Sequence, residues 1–109
     1  MLTEIRVPKS PGAKWNYQKF NRRAQDWAIV GVAAVRVGDS TNVSVVNMGL
    51  TPIRADAVEA ALKAGLNVEE AALHAADDTE PPTDLNASPE YRAHLARVLT
   101  KRALQASGL

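Results

Sequence analysis

The chain has 109 residues with 46% apolar, 23% charged and 5% aromatic side chains, which fits one small globular domain over residues 1–109 and excludes two. Its 0 cysteines exclude thiolate metal sites, iron–sulfur ligation, disulfides and cysteine nucleophiles, and point to a reducing, cytoplasmic setting. The net charge of +1 divides into basic ends and an acidic middle: six Lys/Arg against two acids over residues 1–27, three against eight over 28–80, and four against two over 81–109.

Leu2 to Val7 alternates apolar and polar residues at period two, which predicts a short first strand before Pro8 and Pro11-Gly12 break it. Ala13 to Asp26 has no clear period and interleaves Trp15, Tyr17 and Phe20 with Lys14, Lys19, Arg22 and Arg23. Three readings of that segment stand: base stacking beside phosphate contacts, a lid over a flat cofactor ring, or an aromatic core edge with solvated charges. Trp27 to Val37 is almost continuously apolar, Gly38 to Asn42 is rich in turn formers, and the apolar pattern resumes to Leu50. These two runs predict an antiparallel hairpin, 27–37 with 42–50.

After Pro52 the period changes to that of a helix. Val58, Ala61 and Leu62 share a face that stops at Gly65; Asn67 and Glu70 form a capping box opening a second helix. Pro81-Pro82 forces a connector. Ser88 as N-cap with Pro89 at the first helical position opens a third helix, whose apolar stripe is read as Tyr91, Leu95, Val98, Leu99 and Ala103. Strands first and helices after predict an α+β fold, an antiparallel sheet of about three strands with three helices packed on one face.

No autonomous chemistry emerges from the residues. His74 and His94 lack partners at metal-ligand spacing, the serines sit in turns, caps or strands, and the isolated glycines make no phosphate loop. No catalytic residue and no metal site is therefore assigned. No apolar run approaches the ~20 residues of a membrane span, and the start lacks a signal-peptide pattern, so a soluble protein without membrane insertion is expected. The acidic middle argues against a nucleic-acid partner.

Tyr17-Gln18-Lys19-Phe20-Asn21-Arg22-Arg23-Ala24-Gln25-Asp26-Trp27-Ala28, running into the Val-rich strand, resembles the signature that opens the C-terminal domain of flavoprotein subunits in the carbon monoxide dehydrogenase and xanthine dehydrogenase family of molybdenum hydroxylases. Pro82-Thr83-Asp84, then Ser88-Pro89-Glu90-Tyr91-Arg92 and later Arg102-Ala103, resembles the same domain's closing helix, with Gly49-Leu50-Thr51-Pro52 between the two signatures. The resemblance covers essentially the whole chain in order and implies a sandwich of antiparallel strands and three helices.

It further implies a role in closing an FAD site and docking subunits, so that electrons pass from iron–sulfur clusters to FAD and on to an acceptor. The implied partners are an FAD-binding domain, a molybdenum-cofactor subunit and an iron–sulfur subunit. Tyr17 is the position whose ring approaches the flavin, and Lys19 sets positive charge near the flavin or its pyrophosphate. Arg22, Arg23 and Asp26 are read as an ion-pair set fixing the Tyr17 segment. Tyr91 and Arg92 are read as structural, with Asp84 as partner of Arg92 or a cap. Trp15 and Phe20 are expected to dock the segment from Pro8 to Asp26 while Tyr17 points outward. FAD belongs to the complete subunit, whose larger FAD-binding domain has no counterpart among these residues, and none is expected to bind this chain alone. The alternative is a stand-alone, flavin-free interaction module with its basic N-terminal segment on an acidic surface.

Overall fold

The computed structural model describes residues 1–108. Four antiparallel strands lie side by side in chain order: β1 (Lys14–Phe20), β2 (Val30–Val37), β3 (Ser40–Val46) and the two-residue β4 (Ile53–Arg54). Helices α1 (Asp56–Lys63), α2 (Val68–Ala72) and α3 (Pro89–Ala106) follow. The α+β class and the three helices match expectation, and the sheet gains one strand over the expected three.

The predicted hairpin is β2 with β3, joined through Gly38 and Asp39 so that Val37 pairs with Ser40. Gly38 has φ +59°, the left-handed value that a two-residue hairpin turn asks of its first central position. The strands are shorter than the apolar runs. Asn47 adopts φ 63°, a conformation tolerable for a short polar side chain, and β3 ends there.

Residues 2–7 are not a strand. They are exposed and carry no regular structure, and the first strand is instead Lys14–Phe20. A period-two pattern is necessary for a half-buried strand but not sufficient, because the backbone also needs a neighbour to take its hydrogen bonds. In β1 the alternation is disguised, since Asn16 and Gln18 are the half-buried residues and the aromatics Trp15 and Tyr17 point to the other face.

Cross-strand partners share a face, so the register sorts the sheet. Asn16, Ala34 and Val43 lie in one row and Gln18, Val32 and Val45 in the next. The valines and Ala34 in these rows are fully buried beneath the helices. α3 packs on β1 and β2, α1 packs on β3, and α2 bridges α1 and α3. Among the described residues the opposite face carries no helix.

All three helices begin close to their predicted positions. Asn67 accepts the Glu70 N–H at 2.8 Å and Ser88 accepts the Tyr91 N–H at 3.2 Å. α2 has only 5 residues, too few to be stable without its cap and its packing against α1 and α3. Replacing Asn67 by alanine is expected to cost about 1 kcal/mol, read as a lowered urea midpoint at unchanged slope.

The buried face of α3 is rotated from the predicted stripe. Arg92, Leu95, Ala96, Leu99, Thr100, Ala103 and Leu104 face the sheet, whereas Tyr91 is 43% exposed and Val98 is half-buried.

Candidate functional site

The helix-free face of the sheet presents Trp15, Tyr17 and Lys19 from β1 beside Gly31, Ala33 and Val35 of β2 and Ser44 and Val46 of β3. Tyr17 is 48% exposed and Trp15 is 68% exposed. Trp15 therefore does not dock the segment on the body, as expected above, but shares the open face with Tyr17. Phe20, paired with Val30 in the row of the helix face, remains partly exposed at the end of the strand.

At that end of the sheet a cleft of about 700 Å³ opens between Tyr17, Lys19, Trp27, Val46, Leu50 and Pro52. Its walls come from the strands β1 and β3 and from two loops, the one before β2 and the one after β3. Asn47 ties the two loops together, its Nδ2 donating to the carbonyls of Ala28 at 3.0 Å and Ile29 at 3.1 Å. The chain entering β2 is thereby held against the chain leaving β3. Trp27 is 93% exposed and Leu50 fully exposed at the rim, although large apolar side chains in water forgo ~1.5–3 kcal/mol each of burial. Neither residue was singled out as a site residue from the sequence. The signal for Trp27 lies in the first signature, and that for Leu50 in the Gly49-Leu50-Thr51-Pro52 segment between the two signatures.

The other predicted residues fall in two groups. Arg22, Arg23 and Asp26 do not form the expected ion-pair set: among the described residues none of the three makes a salt bridge. Arg22 Nη1 donates to Asn86 Oδ1 at 3.3 Å, the Arg23 carbonyl accepts the Asp26 N–H at 3.1 Å, and the Asn21 side chain also donates to it. The segment is held by its own turn and by one hydrogen bond from a guanidinium to a neutral amide, because its basic side chains extend into water where an ion pair would gain little.

Asp84 and Arg92 do come together. Arg92 Nη2 donates to both Asp84 oxygens at 2.8 Å, and Nη1 donates to the Ile29 carbonyl. Asp84 Oδ1 also accepts the Asn86 and Ala87 N–H groups. The Asn86 N–H, helped by that of Ala87 and by the Arg92 guanidinium, holds the Asp84 carboxyl below its ordinary value. Tyr91 stands beside this cluster on the solvent side of α3.

A larger groove of about 1010 Å³ lies by the β2–β3 turn and α1 and contains none of the predicted residues. One charged pair lies within it: Arg54 donates to Glu59 at 2.8 Å and to Asn42 at 2.7 Å, and Glu59 accepts the Val43 N–H. His74 and Asp77 make an exposed hydrogen bond at 2.7 Å, and among the described residues no three metal-ligating side chains converge.

An FAD pyrophosphate needs several backbone N–H groups converging on one point. The left-handed glycines Gly12, Gly38, Gly65 and Gly108 sit in separate turns, and no described loop supplies such a cradle. The open face presents instead one apolar, aromatic wall with a lysine beside it.

The family model for the CO dehydrogenase flavoprotein C-terminal domain matches residues 15–107. The carbon monoxide dehydrogenase medium chain of Hydrogenophaga pseudoflava is 32% identical over 98% of this chain and 41% of its own length. The glyceraldehyde dehydrogenase medium chain of Sulfolobus acidocaldarius is 32% identical over 96% of this chain and 41% of its own. The solved carbon monoxide dehydrogenase of H. pseudoflava lacking the Mo-pyranopterin moiety superposes with a TM-score of 0.80 at 33% identity, over 91% of this chain and 38% of that one. The chain thus spans about two fifths of these relatives.

Proposed function

This chain belongs to the CO dehydrogenase flavoprotein C-terminal domain family, and on that premise we propose that it is the domain that closes the FAD site of a molybdenum hydroxylase's flavoprotein subunit. The remainder of the subunit holds the cofactor, and FAD supplies the redox step between the iron–sulfur clusters and an acceptor. This chain's open sheet face forms one wall of the flavin's surroundings. Tyr17 contributes a flat phenol ring, Lys19 a positive charge, and Trp27 and Leu50 an apolar rim for the FAD-binding domain to cover. The observation that carries the reading is the placement of Tyr17 and Lys19 together, outward, at the mouth of an apolar cleft on the face without helices. Docking to the molybdenum-cofactor and iron–sulfur subunits belongs to the same proposal, as does a cytoplasmic location.

The test is made in the complete subunit. Tyr17→Phe keeps the ring and removes the hydroxyl; it is expected to alter the rate of flavin reoxidation while stability stays within about 1 kcal/mol. Tyr17→Ala is expected to loosen flavin retention as well. Flavin content, reoxidation rate and melting temperature are measured for both beside the parent. Unmoved flavin properties in both variants would refute the flavin-facing role and favour a flavin-free interaction module.

A further inference from the structure

We propose that Gly31 is the positioning residue for Tyr17, the missing side chain that lets the phenol lean across β2 toward the cleft. The inference rests on the reading of Tyr17 given above. Tyr17 is paired with Ala33 and Lys19 with Gly31, so Tyr17 and Gly31 are diagonal neighbours on the open face. Diagonal pairs lie within reach of an aromatic side chain. Here the reach is used to the full: a Cβ on Gly31 would stand 2.7 Å from the Tyr17 hydroxyl and 3.4 Å from Cζ. The same Cβ would stand 2.5 Å from Val46 Cγ2.

The backbone gives no reason for glycine at this position. Gly31 lies inside a regular strand and is not among the residues with positive φ. A strand-interior glycine loses chain entropy and offers no side chain to pack, so its presence asks for a close approach by something else. The phenol and Val46 are what approach. The direction matters, because Gly31 is one cross-strand pair nearer the cleft than Ala33, the direct partner of Tyr17. With Gly31 the ring is drawn toward Lys19 and Val46; with any larger residue it must swing away from them. Since the phenol is the half-exposed end of its side chain, that swing is cheap for folding and decisive for where the ring faces.

The chain contains two tyrosines, Tyr17 and Tyr91, so labelling with 3-fluorotyrosine gives two resonances that Tyr17→Phe assigns. Gly31→Ala is made alone and in a Val46→Ala background, where the phenol is the one remaining neighbour closer than 3 Å to the new methyl. In both, the Tyr17 resonance is expected to shift and the ring to react faster with a nitrating reagent. The Tyr91 resonance should stay in place in both, and in the Val46→Ala background, where the 2.5 Å contact with Val46 is relieved, the melting temperature should stay near that of the matching parent. In the complete subunit Gly31→Ala should change flavin reoxidation, and should add nothing to Tyr17→Ala. An unmoved Tyr17 resonance, or unfolding by Gly31→Ala even in the Val46→Ala background, would overturn the proposal. A shifted resonance with unaltered flavin reoxidation upholds Gly31 as the seat of the ring and refutes the flavin-facing role of Tyr17 instead.

Discussion

Replacing Arg92 by alanine is expected to lower the stability of the chain by roughly 2–5 kcal/mol, the cost of truncating a large, fully buried side chain. Arg92 is 0% exposed, at the first turn of α3, where its neighbours on the helix face are leucine and alanine. Its guanidinium joins three parts of the chain: the helix, the turn at Asp84 and the backbone at Ile29 leading into β2. Truncation leaves a void and removes one of the two donors to the Ile29 carbonyl, which keeps only Asn47 Nδ2. Arg92→Lys is expected to recover only part of the loss, because one ammonium on a flexible stem cannot address both Asp84 and the Ile29 carbonyl in the planar geometry of the fork. Urea unfolding of both variants measures the effect. A loss below ~0.5 kcal/mol for Arg92→Ala would place the side chain outside the core.

Asp84, the partly exposed end of the same cluster, adds a pH dependence. Its carboxyl titrates below the ordinary 3.8 in the folded chain, chiefly because the Asn86 N–H donates to the charged form. Folding therefore gains from the ionised group at every pH above the unfolded value, and the gain disappears as pH falls through the depressed folded value. The parent should lose stability on acidification below pH 3.8, and Asp84→Asn should lose less over the same interval.

The contrast between α3 and β1 shows which features were legible from residues alone. Two of the three helices, α2 and α3, open at caps written in local sequence, Asn67 with Glu70 and Ser88 with Pro89, and the turn at Gly38 is local in the same sense. The identity of the buried positions is not local. Arg92 belongs to the core because Asp84, eight residues before it, and Ile29, 63 residues away, supply its acceptors, and no periodicity rule assigns a charged residue to a core stripe. β1 has the complementary problem: its inner face is Asn16 and Gln18 beneath α3, and its outer face is aromatic, so the alternation signals the wrong side. Residues 2–7 carry a clean alternation and lack a partner strand.

The candidate site divides along the same line. Tyr17 and Lys19 were drawn from the resemblance, and only the register of β1 with β2 puts them together on the helix-free face. Trp27 and Leu50 flank them through loop geometry that Asn47 sets, and a side chain hydrogen-bonding to two successive carbonyls across the sheet leaves no trace in a pattern of apolar residues.

Truncating Leu99 to alanine should cost roughly 2–5 kcal/mol, because the side chain lies 3% exposed in the middle of α3 where the helix crosses β1 and β2. The surrounding positions limit how far the site can relax. Ala96 and Ala103, one turn to either side on the same face, are fully buried and bring the helix backbone close to the sheet, and the valines beneath are stiff at χ1. A cavity there has few flexible neighbours to fill it, which places the expected loss in the upper part of the range. The adjacent residue provides the control. Val98 is turned away from the centre of the interface and is half-buried, so Val98→Ala should cost about 1 kcal/mol or less. Both changes shorten an aliphatic side chain in the same turn of the same helix, so helix propensity, which favours alanine in each case, cannot produce the difference. Urea midpoints for the pair read the rotation of α3 directly: a larger loss at Val98 than at Leu99 would mean that the helix presents the other face to the sheet.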